Sequence, residues 1–145
     1  MAEKTAGRIM IVEDEIIVAM DLEATLEDFG FESVGIAADM PGTYRLAATN
    51  PDVALVDVNL RDGPTGPEIG ERLAREFGVT VVFMTANPCM LKNGVPGAIG
   101  VLSKPYDARN IKETVDYALS MKHKRVPATI PPPALAMFAP ASHRF

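Results

Sequence analysis

The sequence contains a single cysteine, Cys89, so no disulfide can form within the chain. Its first residues, MAEKTAGR, also lack the apolar core of a secretory signal peptide. Disulfides and secretory signals are typical of exported proteins, and this sequence offers neither. We therefore expect a cytoplasmic protein.

Long apolar runs and an excess of positive charge are also missing. No apolar run approaches the ~20 residues that a helix needs to span a bilayer. Lysine and arginine total 14 against 19 aspartates and glutamates, which gives a formal net charge of −5. A surface that binds nucleic acid needs excess positive charge to neutralise phosphates. With 48% hydrophobic residues, the chain is predicted to be one soluble domain that binds neither membrane nor nucleic acid.

Short apolar runs alternate with amphipathic segments over residues 7–122. The first run is RIMIV at 8–12, and the most continuous is VALV at 53–56, which is typical of a parallel strand covered on both faces. In the amphipathic segment at about 15–29, apolar residues recur at helical spacing. Five strand-helix units in alternation predict an α/β domain, a parallel sheet with helices on both faces.

The fourth helix of this alternation has an unfavourable sequence. Residues 86–100 contain two prolines and three glycines, and both residue types weaken helices. We expect this helix to be short or irregular.

Residues 123–145 differ in composition and are predicted to be a proline-rich tail, not an output domain. Five of the twelve prolines lie in 126–145, where Arg144 is the only charged residue. Apolar side chains in such a segment gain little from remaining in water. We expect three of them to be buried in an apolar groove, near the irregular fourth helix or on a neighbouring molecule: Leu135, Met137 and Phe138.

Polar residues follow four of the five predicted strands. They are Glu13 and Asp14 after the first strand, Asp57 after the third, Thr85 after the fourth and Lys104 after the fifth. Any one of them would be an ordinary turn residue or helix cap. Parallel strands, however, end at the same edge of a sheet, where ligands of such sheets bind. The five residues together therefore predict a functional site.

Three clustered carboxylates repel one another unless they are protonated or bind a cation. Mg²⁺ prefers oxygen ligands and leaves coordination positions free for phosphate oxygens. A neighbouring carboxylate can then attack phosphorus and form an acyl phosphate. The Lys104 ammonium and the Thr85 hydroxyl are suited to hold the phosphoryl oxygens. The pattern indicates phosphoryl transfer to an aspartate.

The sequence resembles the receiver domain of two-component response regulators over roughly residues 7–122. Four motifs carry the resemblance: IVEDE at 11–15, LVDVNL at 55–60, FMTA at 83–86 and SKP at 103–105. The resemblance implies a flavodoxin-like (βα)5 fold with strand order 2-1-3-4-5. It also implies a phosphorelay switch, not an enzyme.

The resemblance also implies a role for each site residue. Asp57 would be the phosphoacceptor, and Mg²⁺ would be held by Asp14, Asp57 and the backbone carbonyl of Asn59, with Glu13 acting mostly through water. Phosphorylation would draw Thr85 towards the phosphate, while Lys104 contacts the phosphoryl group. The surface formed by the fourth helix, the fifth strand and the fifth helix would then repack.

Several positions depart from the receiver pattern. The aromatic residue expected three positions before Lys104 is Val101, so a rotating ring cannot relay the signal from that position. The interval between Thr85 and Lys104 is shorter than is common in the family. Arg61 stands where proline is usual. These differences affect signalling and leave the phosphorylation chemistry intact.

We therefore expect a stand-alone receiver that a histidine kinase or phosphotransfer protein phosphorylates on Asp57, with output through contacts to a downstream protein or in a homodimer. One alternative is a haloacid-dehalogenase-like phosphohydrolase. In that family the acidic pair comes late in the chain, whereas here Glu13 and Asp14 come first. A flavodoxin-type flavin carrier shares the fold, but the acidic residues at 13–15 would repel a flavin phosphate. A pseudo-receiver scaffold that is never phosphorylated is the remaining alternative.

Overall fold

The computed structural model describes residues 7–60, 63, 65–91, 93–123 and 130–138. Arg61 and Arg144, which the sequence analysis singled out, lie outside these residues. The strands are β1 (Arg8–Val12), β2 (Glu32–Ala37), β3 (Val53–Asp57), β4 (Thr80–Thr85), β5 (Ala98–Ser103) and β6 (Leu135–Met137). The helices are α1 (Ile16–Asp28), α2 (Met40–Ala47), α3 (Gly66–Phe77) and α4 (Ala108–His123).

The strands form one sheet in the order β2-β1-β3-β4-β5-β6. Strands β1 to β5 pair in parallel, which confirms the predicted order 2-1-3-4-5 and the flavodoxin-like arrangement. β6 pairs with β5 in antiparallel orientation and was not predicted. The sheet is therefore mixed, with the additional strand at its β5 edge.

The alternation of side chains along the strands divides the core into two layers. On β1, Ile9 and Ile11 face the layer that includes α1 and α4, whereas Met10 and Val12 face the layer that includes α3. All five residues of β3 are buried, as expected for a central parallel strand. This covering of both faces holds the strand ends at fixed positions.

The helices end where the local sequence predicts. The Asp39 side chain accepts a hydrogen bond from the backbone N–H of Gly42 at 2.9 Å and caps α2. α3 ends at Phe77 and is followed by its C-cap residue Gly78, whose φ of 68° is a left-handed conformation that glycine adopts without strain. Among the described residues, no helix combines the length and apolar character needed to cross a membrane.

The predicted irregular fourth helix is a single 3-10 turn, Pro88–Leu91. The loop after it contains Gly94 and Gly97, whose φ angles of 79° and 86° do not belong to a right-handed helix. The fifth helix predicted from the sequence is therefore α4 of the structure.

The tail prediction is correct for two of its three side chains. Leu135 is 4% exposed and lies in the layer that includes α1 and α4. Phe138 is partly buried against the other layer. Met137 is 39% exposed, so its predicted burial is wrong. Met137 is the last residue of the edge strand β6 and lies beyond the core contacts that bury Leu135.

Gly66 fixes how closely α3 approaches the end of β3. A Cβ atom on Gly66 would lie 2.4 Å from the backbone oxygen of Asp57 and 2.6 Å from that of Val58. Because backbone atoms cannot yield as a side chain does, we expect Gly66→Ala to lower the free energy of unfolding by about 1–3 kcal/mol. Urea denaturation measures this change. Glu68→Ala, an exposed change in the same helical turn, should cost less than about 1 kcal/mol, and equal losses would contradict the close approach.

Candidate functional site

The register of the parallel strands brings the predicted site residues to one edge of the sheet. Val12 pairs with Val56, so Glu13 and Asp57 follow paired residues. Thr85 pairs with Ser103, and the backbone N–H of Lys104 donates to the Thr85 carbonyl at 2.8 Å. The convergence predicted from strand ends is therefore present in the structure.

Three carboxylates meet at this edge. Glu13, Asp14 and Asp57 each offer one oxygen, and these oxygens lie within 4.8 Å of one another. Glu13 is 1% exposed and Asp57 is 7% exposed, whereas Asp14 is half-buried. Clustered carboxylate oxygens are the donors that a hard divalent cation prefers. These residues fit a Mg²⁺ ion by their chemistry.

Lys104 reaches the same carboxylates from β5. Its Nζ atom lies 2.8 Å from Asp57 Oδ1 and 3.4 Å from Glu13 Oε1. Its side chain is 26% exposed, so these ion pairs are shielded from water on most sides. A buried carboxylate without such a partner would be strongly destabilising. The ammonium therefore compensates part of the negative charge that the sequence collects here.

Burial and neighbouring charges shift the pKa values of three groups at the site. Burial raises the pKa of Asp57, and the hydrogen bond from Lys104 opposes this only in part. Burial also raises the pKa of Glu13, to which the Asp57 charge adds. For Lys104, burial lowers the pKa, but the hydrogen bond and charge of Asp57 outweigh it and the net pKa is raised. The ionised forms of Glu13 and Asp57 are therefore disfavoured, and a bound cation would stabilise them.

Thr85 and Asn59 border the carboxylates. Thr85 is 3% exposed, and its Oγ1 accepts a hydrogen bond from the backbone N–H of Asn87 at 3.0 Å. Asn59 is exposed, and its backbone N–H donates a hydrogen bond to Asp57. The metal-binding role of the Asn59 carbonyl and the switch role of Thr85 stay predictions.

Tyr106 also lies beside the site and was not predicted from the sequence. It packs against the core layer that includes α1 and α4. Burial raises the pKa of its phenol, and the Lys104 charge opposes the rise. Its position two residues after Lys104 was the available signal, but only the fold places the ring near the carboxylates. Val101 is 3% exposed, so the position where the family has an aromatic residue lies in the core.

Asp14 and Lys104 are expected to affect Mg²⁺ binding differently, because Asp14 offers a ligand oxygen and Lys104 competes with the cation for Asp57. We expect Asp14→Asn to lower Mg²⁺ affinity about 10- to 100-fold, because a neutral amide replaces a carboxylate. Lys104→Ala should not lower it, since Lys104 offers no oxygen and occupies Asp57 itself. Isothermal titration calorimetry with MgCl₂ measures both affinities. An equal loss in the two variants would contradict this division of roles.

Comparison with known proteins identifies relatives of the chain. A family model described as the response regulator receiver domain matches residues 9–116. The phyllosphere-induced regulator PhyR of Methylorubrum extorquens is 33% identical over 122 residues, which cover 82% of this chain and 46% of PhyR. The transcriptional regulatory protein PdtaR of Mycobacterium tuberculosis is 30% identical over 117 residues, which cover 78% of this chain and 57% of PdtaR. Both relatives are named as regulators.

A solved structure has the same architecture. The response regulator PhyR from Brucella abortus superposes with a TM-score of 0.71 at 30% identity, and the match covers 84% of this chain and 51% of that one. The chain therefore spans about half the length of the PhyR relatives it matches.

Proposed function

Because this chain belongs to the family of response regulator receiver domains, we propose that it is a signalling switch phosphorylated on Asp57. The phosphoryl donor would be a histidine kinase or a phosphotransfer protein. The family decides between the receiver and the haloacid-dehalogenase-like or flavin-binding alternatives considered for the sequence. A receiver that is never phosphorylated is the remaining alternative.

The observation that carries the proposal is the ion pair of 2.8 Å between Lys104 and Asp57 inside a cluster of three carboxylates. Asp57 lies at the end of a fully buried strand, so its carboxylate has a fixed position. A scaffold without phosphorylation has no need to keep this costly group of charges together. Three carboxylates beside one ammonium suit a cation and a phosphoryl group.

Each residue has a role in the transfer. An Asp57 carboxylate oxygen attacks phosphorus, the bond from phosphorus to the donor imidazole breaks, and an acyl phosphate forms. Bound Mg²⁺ would neutralise charge on the phosphoryl oxygens, with Asp14, Asp57 and the Asn59 carbonyl as ligands and Glu13 acting through water. Lys104 then contacts a phosphoryl oxygen in place of the Asp57 oxygen that it holds now. Thr85 donates its hydroxyl to another phosphoryl oxygen.

The output is proposed to pass through contacts with a downstream protein. Val101 carries no ring that could rotate, so the change at Thr85 has to reach the surface by another route. Phe83 lies on the same face of β4 as Thr85, because they are two residues apart, and its ring is in the core layer that contains Val101. In this proposal, a shift of Thr85 would move Phe83 and so reach Val101, its paired residue on β5.

The test is phosphorylation by a small donor. The chain is incubated with acetyl phosphate and MgCl₂, the acyl phosphate is trapped by reduction with borohydride, and the modified peptide is located by mass spectrometry. We expect one modified residue, Asp57, and no modification when EDTA replaces MgCl₂. An unmodified chain under the complete conditions would contradict the proposal and favour the scaffold.

A further inference from the structure

The outer edge of β5 is covered by a strand from the tail. Gly100, Val101 and Leu102 of β5 pair with Met137, Ala136 and Leu135 of β6. The backbone N–H of Phe138 continues the pairing with a hydrogen bond to the Ile99 carbonyl at 3.0 Å. Without β6, β5 would present an unpaired edge, to which another extended segment can add by the same hydrogen bonds.

The β5 edge has features that fit a strand closely. A Cβ atom on Gly100 would lie 2.4 Å from the Ala136 carbonyl oxygen, so glycine is required for this approach. On one face, Leu135 is buried in the core layer that includes α1 and α4. On the other face, the ring of Phe138 lies 6.4 Å from that of Phe83, and a Cβ on Gly94 would lie 3.5 Å from Phe138 Cβ. We call this edge, with Phe83, Gly94 and Gly100, the β5 groove.

The strand in the β5 groove is short and weakly held. β6 has three residues, fewer than a typical strand. Met137 is 39% exposed, and Ile130, where the described part of the tail begins, is 88% exposed. Pro131 and Pro133 are also exposed. Among residues 130–138, Leu135 and Pro132 are buried, and Ala134 and Phe138 pack partly against the core. Only these four side chains must leave for the groove to open.

We propose that the β5 groove is a docking site for an extended segment of a partner protein, and that β6 is the tethered segment that this partner displaces. We infer the sequence pattern of the partner segment from the way β6 binds in the groove. The segment lies antiparallel to β5, has an aliphatic residue followed three positions later by an aromatic one, and carries no charge between them. This spacing matches the groove because residues three apart on a strand point to opposite faces. The proposal does not depend on phosphorylation.

A fluorescein-labelled peptide with the sequence of residues 130–138 serves as the probe, and fluorescence anisotropy measures its binding to the full chain. In wild type the tethered β6 competes at an effective concentration in the millimolar range, so binding should be weak. Phe138→Asp places a carboxylate against Phe83 and should release β6. We expect this variant to bind the peptide about tenfold or more tightly than wild type. Phe138→Ala gives the same direction with a smaller change if the aspartate variant does not fold.

Two variants serve as controls. Met137→Asp adds the same charge at an exposed neighbouring position and should bind the peptide as weakly as wild type. Gly100→Ala combined with Phe138→Asp closes the groove and should abolish binding. Hydrogen exchange of residues 98–103 should rise in Phe138→Asp and fall again when the peptide is added.

Two results would overturn the proposal. One is equally weak peptide binding by wild type, Phe138→Asp and Met137→Asp. The other is a concentration-dependent wild-type dimer, seen by light scattering and lost in Phe138→Asp. Such a dimer would mean that two copies of this chain exchange β6.

Discussion

Replacement of Asp57 by asparagine is expected to reduce acyl phosphate formation to background. Asparagine has nearly the same shape, but its neutral amide oxygen is a poor nucleophile and a weaker ligand for a hard cation. It also removes the charged partner that lies 2.8 Å from the Lys104 ammonium. The measurement is the amount of trapped acyl phosphate after incubation with acetyl phosphate and MgCl₂.

Asp116→Asn provides the matched control for this variant. Asp116 lies on the exposed face of α4, where its carboxylate pairs with Lys112 at 2.7 Å, and it takes no part in the carboxylate cluster. Its labelling should equal that of wild type. If Asp57→Asn were still labelled, for example on Asp14, the phosphoacceptor assigned here would be wrong.

Truncation of Phe83 is expected to cause the largest loss of stability, about 3–5 kcal/mol in the free energy of unfolding for Phe83→Ala. Its ring is fully buried on β4. It also fills the space that Gly70 leaves, since a Cβ on Gly70 would lie 2.3 Å from the Phe83 Cζ. Because Gly70 has no side chain, it cannot fill the cavity that the substitution leaves, and little of the lost packing is recovered. Urea denaturation followed by far-ultraviolet circular dichroism measures the change.

Phe29→Ala is the control for the same chemical change at a less buried site. Phe29 is the C-cap residue of α1 and is 36% exposed, so its truncation should cost less than about 1 kcal/mol. Similar losses for the two variants would contradict the central position of Phe83. Phe83→Ala should also remove the ring against which Phe138 packs and speed hydrogen exchange in β5.

The sequence determined the features that depend on local pattern. The buried run of β3 delivers Asp57 at its end, and the acidic pair of Glu13 and Asp14 follows β1 directly. Strand periodicity, helix spacing and turn residues are encoded within a few positions, so they can be interpreted without tertiary contacts. Prolines and glycines likewise predicted that the fourth helix would be irregular, and it is a single 3-10 turn.

The tertiary structure decided which distant residues meet. The pairing of Lys104 with Glu13 and Asp57 joins residues that are 91 and 47 positions apart, and the strand register fixes its distances. The proline-rich composition of the tail predicted no strand, yet Leu135–Met137 forms one because β5 offers an unpaired edge and Gly100 permits close approach. Strand pairing is a non-local interaction that depends on the partner edge. A three-residue segment therefore carries too little information to predict it.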